Sequence, residues 1–220
     1  MPRILKYKNG QALVSGVKMT PDAMLLIDNG IAVDIEMEII DSKKITDKQR
    51  RKIFALCNDI EQFTGQPREY MREMFTDYLS FMKGYLNVSL SDCSRKVAGE
   101  LIDLIIMWVF ENNIPLNYKT SDMLKNDRTF LYMSTINRTC VICGTQSADI
   151  AHRYAVGAGR NRNEIDHYGN EVLALCRKHH NEQHAIGIDT FNEKYHLDEW
   201  VKVDARLNAM LKGRKYNGTE

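Results

Sequence analysis

Two short Cys/His pairs in the C-terminal third of the sequence constrain the fold more than any other feature. Cys140-x-x-Cys143 is followed by Gly144, and the second pair is Cys176-x-x-His179. Two thiolates two residues apart can bind one metal ion from a tight turn, and the second pair completes a set of four soft ligands. We therefore predict a closed structural Zn²⁺ site that stabilises a small unit with little core of its own. The alternative is that these cysteines are small buried hydrophobic residues.

The overall composition is typical of a globular chain with reduced thiols. The chain has five cysteines, an odd number, and its N-terminus MPRILKYKNG lacks the apolar core of a secretory signal. Hydrophobic residues make up 44% and charged residues 27%, which argues against a largely disordered chain. No apolar run reaches the roughly 20 residues of a membrane helix. We therefore expect a cytoplasmic protein that has no membrane partner.

Hydrophobic patterns divide the 220 residues near residue 130. Residues 1–42 are predicted to form strands, because Val33–Ile40 alternates apolar and acidic side chains after a turn at Asp28–Gly30. Met24–Ile27 is the predicted partner strand. Helices are predicted over residues 46–114, because apolar residues recur there every three or four positions.

Three helices account for that second stretch. Thr46 and Gln49 form a capping box for a helix over 46–64, a second helix covers 71–85, and Ser91 is the predicted cap of a third that ends near Asn113. The predicted class is α+β: a small N-terminal antiparallel sheet packed with a helical bundle over 1–130, a zinc-stapled domain over 131–211, and a flexible tail at 212–220. The apolar third helix would suit a homodimer core.

A second group of polar residues accompanies the zinc pattern. His152 lies on a predicted strand, Ala148–Arg153, and the following predicted strand, Gly169–Cys176, leads into a helix. On that helix His180 and His184 share one face, since they are four residues apart. Two imidazoles on one helical face can bind a metal ion, whereas the simpler alternative is a solvated helix face.

The loop between these strands is rich in Gly, Arg and Asn. Arg160 and Arg162 carry fork-shaped donors that match phosphate oxygens, although the loop could equally be an ordinary surface turn. His167 and His196 are assigned no role, and we expect both to be surface residues.

The order of strand histidine, asparagine-bearing loop, strand and helix histidine inside a CxxC…CxxH frame resembles the HNH nuclease family. The resemblance covers roughly residues 139–187, and the string ADIAHR…VGAGRNR…LCRKHHNEQHAIG is similar to HNH proteins encoded by phages of Gram-positive bacteria. It implies a C-terminal ββα-metal domain and metal-dependent cleavage of DNA.

The resemblance also implies a role for each matching residue. His152 would be the general base that takes a proton from the attacking water, and Asn170 or, as the second choice, Asn163 would orient it. A second divalent ion (Mg²⁺, Mn²⁺, Ni²⁺ or Zn²⁺) would stabilise the scissile phosphate. Its ligands would be His180, His184 and Asp149.

The sequence departs from the family pattern at Ala151, where HNH proteins commonly have histidine or aspartate. Alanine cannot bind a metal, and Asp149 is the nearest acidic substitute. Asp149 and His152 should point to opposite faces of the strand, which suits one ligand and one base. The departure leaves open that His152 is itself the ligand and that activity is weak or absent.

Residues 31–118 resemble the NinB/lambda Orf family of phage recombination proteins. Asp47, Gln49 and Arg50–Lys52 stand where that family has a polar helix start, and Ser89–Leu116 matches its later helix. The resemblance implies a dimer-forming, DNA-binding module that works with single-strand-binding and strand-annealing proteins.

The net charge of +1 gives no overall basic signature of nucleic-acid binding. DNA phosphates would therefore be contacted by local groups of cations, with a solvated helix terminus as the alternative for the first group. The candidates are Arg50, Arg51, Lys52, Arg153, Arg160 and Arg162.

Taken together, these patterns predict an HNH endonuclease that hydrolyses phosphodiester bonds of single-stranded or branched DNA during phage recombination or replication, in the host cytoplasm if a phage encodes it. The alternative is a non-enzymatic recombination mediator that binds single strands and whose zinc domain only binds DNA. A third reading is an interaction adaptor without DNA contacts.

Overall fold

The computed structural model describes residues 3–35, 44–154 and 166–213. The chain forms two compact units, Met1–Asp41 and Ser42–Glu220. Helices and small antiparallel sheets are combined, so the predicted α+β class is confirmed.

In residues 3–35, the part of it that is described, the first unit contains a β-hairpin and one helix. Strands β1 (Arg3–Lys8) and β2 (Gln11–Ser15) pair antiparallel. The two-residue loop Asn9-Gly10 joins them, and both loop residues have positive φ angles of 51° and 79°. A loop of this kind favours Asn-Gly, because its twist matches that of the flanking strands.

The predicted strand at Met24–Ile27 is wrong, since these residues lie in helix α1 (Pro21–Asp28). The side chain of Thr20 accepts a hydrogen bond from the backbone N–H of Ala23, and Pro21 occupies the first helical turn. A run of four apolar residues has no periodicity of its own, so these capping signals decide the outcome. Of the other predicted strand, residues 33–35 are not in a strand, and residues 36–40 lie outside the described ranges.

The second unit begins with three long helices, as predicted. Helix α2 (Asp47–Thr64) has the capping box of Thr46 and Gln49, and helix α3 (Arg68–Lys83) follows. Helix α4 (Arg95–Glu111) starts after Ser94, whose hydroxyl accepts from the N–H of Val97, so the predicted cap at Ser91 is wrong. In the described parts of the chain, no helix is both long and apolar enough to span a bilayer.

Two shorter helices that were not predicted connect this bundle to a second sheet. Helix α5 (Tyr118–Leu124) is followed by α6 (Arg128–Ile136), which contacts both α4 and the second sheet. The predicted boundary at residue 130 falls inside α6, and one hydrophobic core continues from Ile45 to Trp200. Whether 1–130 and 131–211 act as separate domains stays a prediction.

The second sheet has three antiparallel strands in the order β3-β4-β5. They are β3 (Asp149–His152), β4 (Glu171–Leu175) and β5 (Val201–Lys202). Helix α7 (Arg177–Ile186) starts immediately after β4 and contacts β3 and β4. Helices α8 (Ile188–Tyr195) and α9 (Ala205–Leu211) complete the unit.

One buried carboxylate connects α2 to the start of α5. Asp59 on α2 is only 3% exposed. Its two oxygens accept hydrogen bonds from the backbone N–H and the side-chain amide of Asn117, at 2.9 and 2.6 Å. Because Asn117 precedes α5, this carboxylate fixes the start of α5 against α2.

We expect Asp59→Ala to lower the free energy of unfolding by about 2–3 kcal/mol, because it leaves the N–H of Asn117 without its charged acceptor. Urea denaturation followed by circular dichroism measures the change. Asp77→Ala, which alters an exposed carboxylate on α3, is the matched control and should change stability by less than about 0.5 kcal/mol. Equal effects of the two substitutions would contradict the role assigned to Asp59.

Candidate functional site

The four residues of the predicted zinc site come together. One ligand atom from each of Cys140, Cys143, Cys176 and His179 lies within 4.8 Å of all the others. Nδ1 of His179 is 3.4 Å from Sγ of Cys140 and 3.2 Å from Sγ of Cys176. Among the residues that the structure describes, no other group of three or more such side chains converges in this way.

Local structure explains how the two halves of this cluster meet. The backbone N–H of Gly144 bonds to the carbonyl of Cys140, which closes the turn between the first two cysteines. Gly144 has a φ of +71°, which favours glycine, and a Cβ atom there would approach the carbonyl oxygen of Leu116 to 3.4 Å. The N–H of Val141 bonds to the carbonyl of Ala174, so the turn is attached to the end of β4.

The chemistry of the cluster suits a cation. Burial raises the pKa of the Cys140 thiol to about 12 and lowers the pKa of the His179 imidazole. Burial also acts to raise the pKa of Cys143, but hydrogen bonds from Thr145 and neighbouring groups outweigh it and lower that pKa. Such thiols become stable thiolates when a metal offsets the cost of their burial. The cluster could therefore hold a structural metal ion, and zinc is the ion that we predict.

A second group of side chains connects α7 to β3. Nε2 of His180 is 3.2 Å from Nε2 of His184, and Nδ1 of His180 is 3.4 Å from Oδ2 of Asp149. His180 therefore lies between the other two predicted ligands and uses a different ring nitrogen toward each. Nε of Arg177 is also 3.3 Å from Oδ2 of Asp149.

The strand pairing shows how Asp149 reaches α7. Asp149 and Ala151 pair with Leu175 and Leu173, so they lie two residues apart on one face of β3. Ala151 is fully buried, whereas Asp149 is partly exposed and contacts His180. The acidic group thus stands two residues before the position at which the sequence departs from the HNH pattern, on the same strand face.

His152 contacts His167, a residue to which the sequence assigned no role. Nε2 of His152 is 3.3 Å from Nδ1 of His167. His167 is only 2% exposed, so its predicted surface location is wrong. Its polar sequence neighbours gave no sign of burial, and its backbone N–H donates to Asn208 on α9, far along the chain. His196 is exposed at the end of α8, as expected.

Asn170 acts on this region through its backbone. Its N–H bonds to the carbonyl of His167 at 3.1 Å, and its own carbonyl accepts from the N–H of Val203 at 2.9 Å. On the other side of His152, Nε2 of Gln183 donates to the carbonyl of His152 at 3.2 Å. Gln183 therefore fixes the strand that carries His152 against the helix that carries His180.

Several predicted DNA contacts already have intramolecular partners. The Arg50 guanidinium donates to the carbonyls of Leu90 and Ser91 at 2.7 and 2.9 Å, and also contacts Asp47. Arg51 donates to the carbonyl of Asp47. These contacts attach the start of α2 to the segment before α4 and to its own first turn.

The other predicted cations divide into two groups. Lys52 lies 3.3 Å from Asp127, with 13% of its side chain exposed, and Arg153 lies 2.7 Å from Glu171. The remaining predicted site residues, Arg160, Arg162 and Asn163, lie outside the described ranges. A DNA-binding role for any of these cations stays a prediction.

Comparison with known proteins gives one family. A family model described as "Putative HNHc nuclease" matches residues 15–214 of the chain. Searches of curated proteins and of solved structures returned no match.

We expect the purified protein to contain about one zinc ion per chain and Cys143→Ser to lose it, because the hydroxyl replaces a thiolate ligand. Metal analysis after gel filtration measures the zinc content, and a thermal melt should show a lower midpoint for the variant. Cys93→Ala, which alters a thiol outside the cluster, should keep the metal. Full zinc occupancy in Cys143→Ser would contradict the assigned cluster.

Proposed function

The chain belongs to this family of HNH nucleases, and we propose on that basis that it is a metal-dependent endonuclease that hydrolyses phosphodiester bonds in DNA. The observation that carries the proposal is the contact of His180 with both His184 and Asp149, beside the strand that ends in His152. It joins the predicted metal-binding helix to the strand of the predicted base.

The proposed catalytic unit is a ββα-metal arrangement of β3, β4 and α7. Its support is the antiparallel pairing of β3 with β4, the start of α7 directly after β4, and the contacts of α7 with both strands. The metal cluster includes Cys176 at the cap of α7 and His179 in its first turn. A structural ion there would fix where α7 begins.

His180 and His184 are the proposed ligands of the second ion. Their Nε2 atoms are 3.2 Å apart, which suits two nitrogens that each lie roughly 2.0–2.1 Å from a shared cation. A divalent ion bound there would stabilise the negative charge of the scissile phosphate and of the leaving oxygen. Asp149 would keep the proton of His180 on Nδ1, so that Nε2 offers its lone pair.

His152 is the proposed general base, which removes a proton from the attacking water. Arg160 and Arg162, in the segment that joins β3 to β4, are the proposed phosphate contacts, together with Arg153. Arg153 would have to exchange Glu171 for a phosphate oxygen, because the two side chains form an ion pair at 2.7 Å.

The proposed substrates are single-stranded or branched DNA intermediates of phage recombination or replication. The motivation is the resemblance of residues 31–118 to the NinB/lambda Orf family, and the HNH family match runs across this region as well. The same resemblance motivates the proposed homodimer and the proposed partners, single-strand-binding or annealing proteins. The proposed place of action is the cytoplasm.

We expect the zinc-loaded protein to cleave DNA with Mg²⁺, Mn²⁺ or Ni²⁺, and His152→Ala to reduce the rate about 100- to 10,000-fold through loss of the base. Gel assays on supercoiled, single-stranded and branched DNA measure cleavage, with metal analysis and circular dichroism on the same samples.

His196→Asn is the matched control, since it removes an exposed histidine at the end of α8 whose φ of 51° asparagine tolerates, and it should cleave at the native rate. If no form cleaves any substrate but all bind single strands, the non-enzymatic mediator replaces the nuclease.

We also expect Asp149→Ala to weaken the second metal site about 10- to 100-fold, because it removes the carboxylate that orients His180. Calorimetric titration of Mn²⁺ into zinc-loaded protein measures the affinity. Asp122→Ala, which alters a carboxylate paired with Lys125, should bind Mn²⁺ like the native chain. An unchanged affinity in Asp149→Ala would rule out both a ligand role and an orienting role for Asp149.

A further inference from the structure

We propose that His167 is a positioning residue for His152: it accepts a hydrogen bond from Nε2 of His152 and thereby makes Nδ1 the basic nitrogen of that ring. The inference rests on the proposed function, in which His152 is the general base. It is carried by the 3.3 Å contact between Nε2 of His152 and Nδ1 of His167.

His167 is held firmly enough to orient another ring. It is 2% exposed, and its backbone is bonded on both sides. Its N–H donates to Oδ1 of Asn208 on α9 at 3.2 Å, and its carbonyl accepts from the N–H of Asn170 at 3.1 Å. Nδ2 of Asn208 also donates to Asp166, so two consecutive residues are attached to α9.

The helix that anchors His167 is itself fixed. Asp204 caps α9 by accepting from the N–H of Leu207 at 2.8 Å, and its other oxygen accepts from the hydroxyl of Tyr132 on α6 at 2.7 Å. The described contacts of His167 therefore attach it to the folded core through α9. His152 is held independently, because its carbonyl accepts from Gln183.

When both imidazoles are neutral, one proton lies between Nε2 of His152 and Nδ1 of His167, and either nitrogen can carry it. If Nε2 of His152 carries it, His167 accepts at Nδ1, and the lone pair of His152 is on Nδ1. If Nδ1 of His167 carries it, the proton of neutral His152 is on Nδ1, and that nitrogen cannot act as a base. A general base needs a fixed tautomer, and a buried acceptor beside its other nitrogen supplies one.

This assignment changes the role of the asparagine. The HNH resemblance gave the orientation of His152 to Asn170 or Asn163. The described contacts of Asn170 are backbone hydrogen bonds to His167 and Val203. Asn170 thus supports the residue that touches His152, and the imidazole of His167 makes the contact with the base.

Two nitrogens 3.3 Å apart could also bind one metal ion together. Metal binding by the pair is therefore an outcome of the test.

The test compares His167→Asn with His167→Leu. An asparagine amide oxygen lies at about the position of histidine Nδ1, so it can still accept from His152, whereas leucine fills the space without an acceptor. His196→Asn is the control, since His196 is exposed at the end of a helix with a φ of 51°, which asparagine tolerates. Each zinc-loaded protein is studied by DNA cleavage and by ¹⁵N-resolved imidazole NMR.

We expect native His152 to carry its proton on Nε2. His167→Leu should lower kcat about 10- to 100-fold, with KM within about threefold, and should mix the tautomers of His152. His167→Asn should keep the native tautomer and kcat within about threefold of the native value. His196→Asn should match the native protein in both measurements.

Three results would overturn the proposal. One is a proton on Nδ1 of His152 in the native protein, which also decides the matter if His167→Leu does not fold. Another is an unchanged tautomer and kcat in His167→Leu, which would leave His167 a packing role only. The last is a large shift of the ring-nitrogen signals of both His152 and His167 when diamagnetic Zn²⁺ is added in excess to a His180→Ala variant, which would make the pair a metal site. Failure of the native protein to cleave DNA would refute the proposed function instead, while the NMR result would still decide the role of His167.

Discussion

Convergence of three thiols and an imidazole at the junction of β4 and α7 is the constraint on which the site depends. Burial raises the pKa of the Cys140 thiol, which expresses the cost of a buried thiolate without a cation. A bound ion would reverse it and fix the first turn of α7 against β4. Since His179 and His180 are adjacent, fixing one toward the cluster directs the other toward Asp149. A metal ion held by the first cluster would therefore also orient His180 toward Asp149.

The helices α2–α6 and the second sheet share one hydrophobic core, so these helices support the sheet. Helix α6 contacts α4 on one side and β4 on the other. The basic residues at the start of α2 take part in this packing, because Arg50 holds the segment before α4 and Lys52 pairs with Asp127 at the cap of α6. A basic run in a sequence can thus be explained by carbonyls and carboxylates that are distant along the chain.

Sequence predicted the features that local signals specify. The capping box of α2 and the spacing of the Cys/His cluster are encoded within a few residues, and β3 and β4 lie within the two predicted strand segments. Helix α1 was mistaken for a strand because four apolar residues have no period. The hydrogen bond that attaches His167 to α9 could not be predicted, because its acceptor, Asn208, lies 41 positions later in the chain.

The alternation of side chains along a strand bears on the departure from the HNH pattern at Ala151. A carboxylate can move by two residues along a strand and stay on the same face, whereas a shift of one residue would turn it away. Asp149 lies two residues before Ala151 on that face and contacts His180, while His152 lies on the opposite face and contacts His167. Because Asp149 lies two residues away from position 151, its carboxylate contacts Nδ1 of His180 and supports the ring on the side away from His184. Loss of the usual residue at 151 would therefore remove one proposed ligand position, while Asp149 keeps a carboxylate on the same strand face, opposite the face of His152.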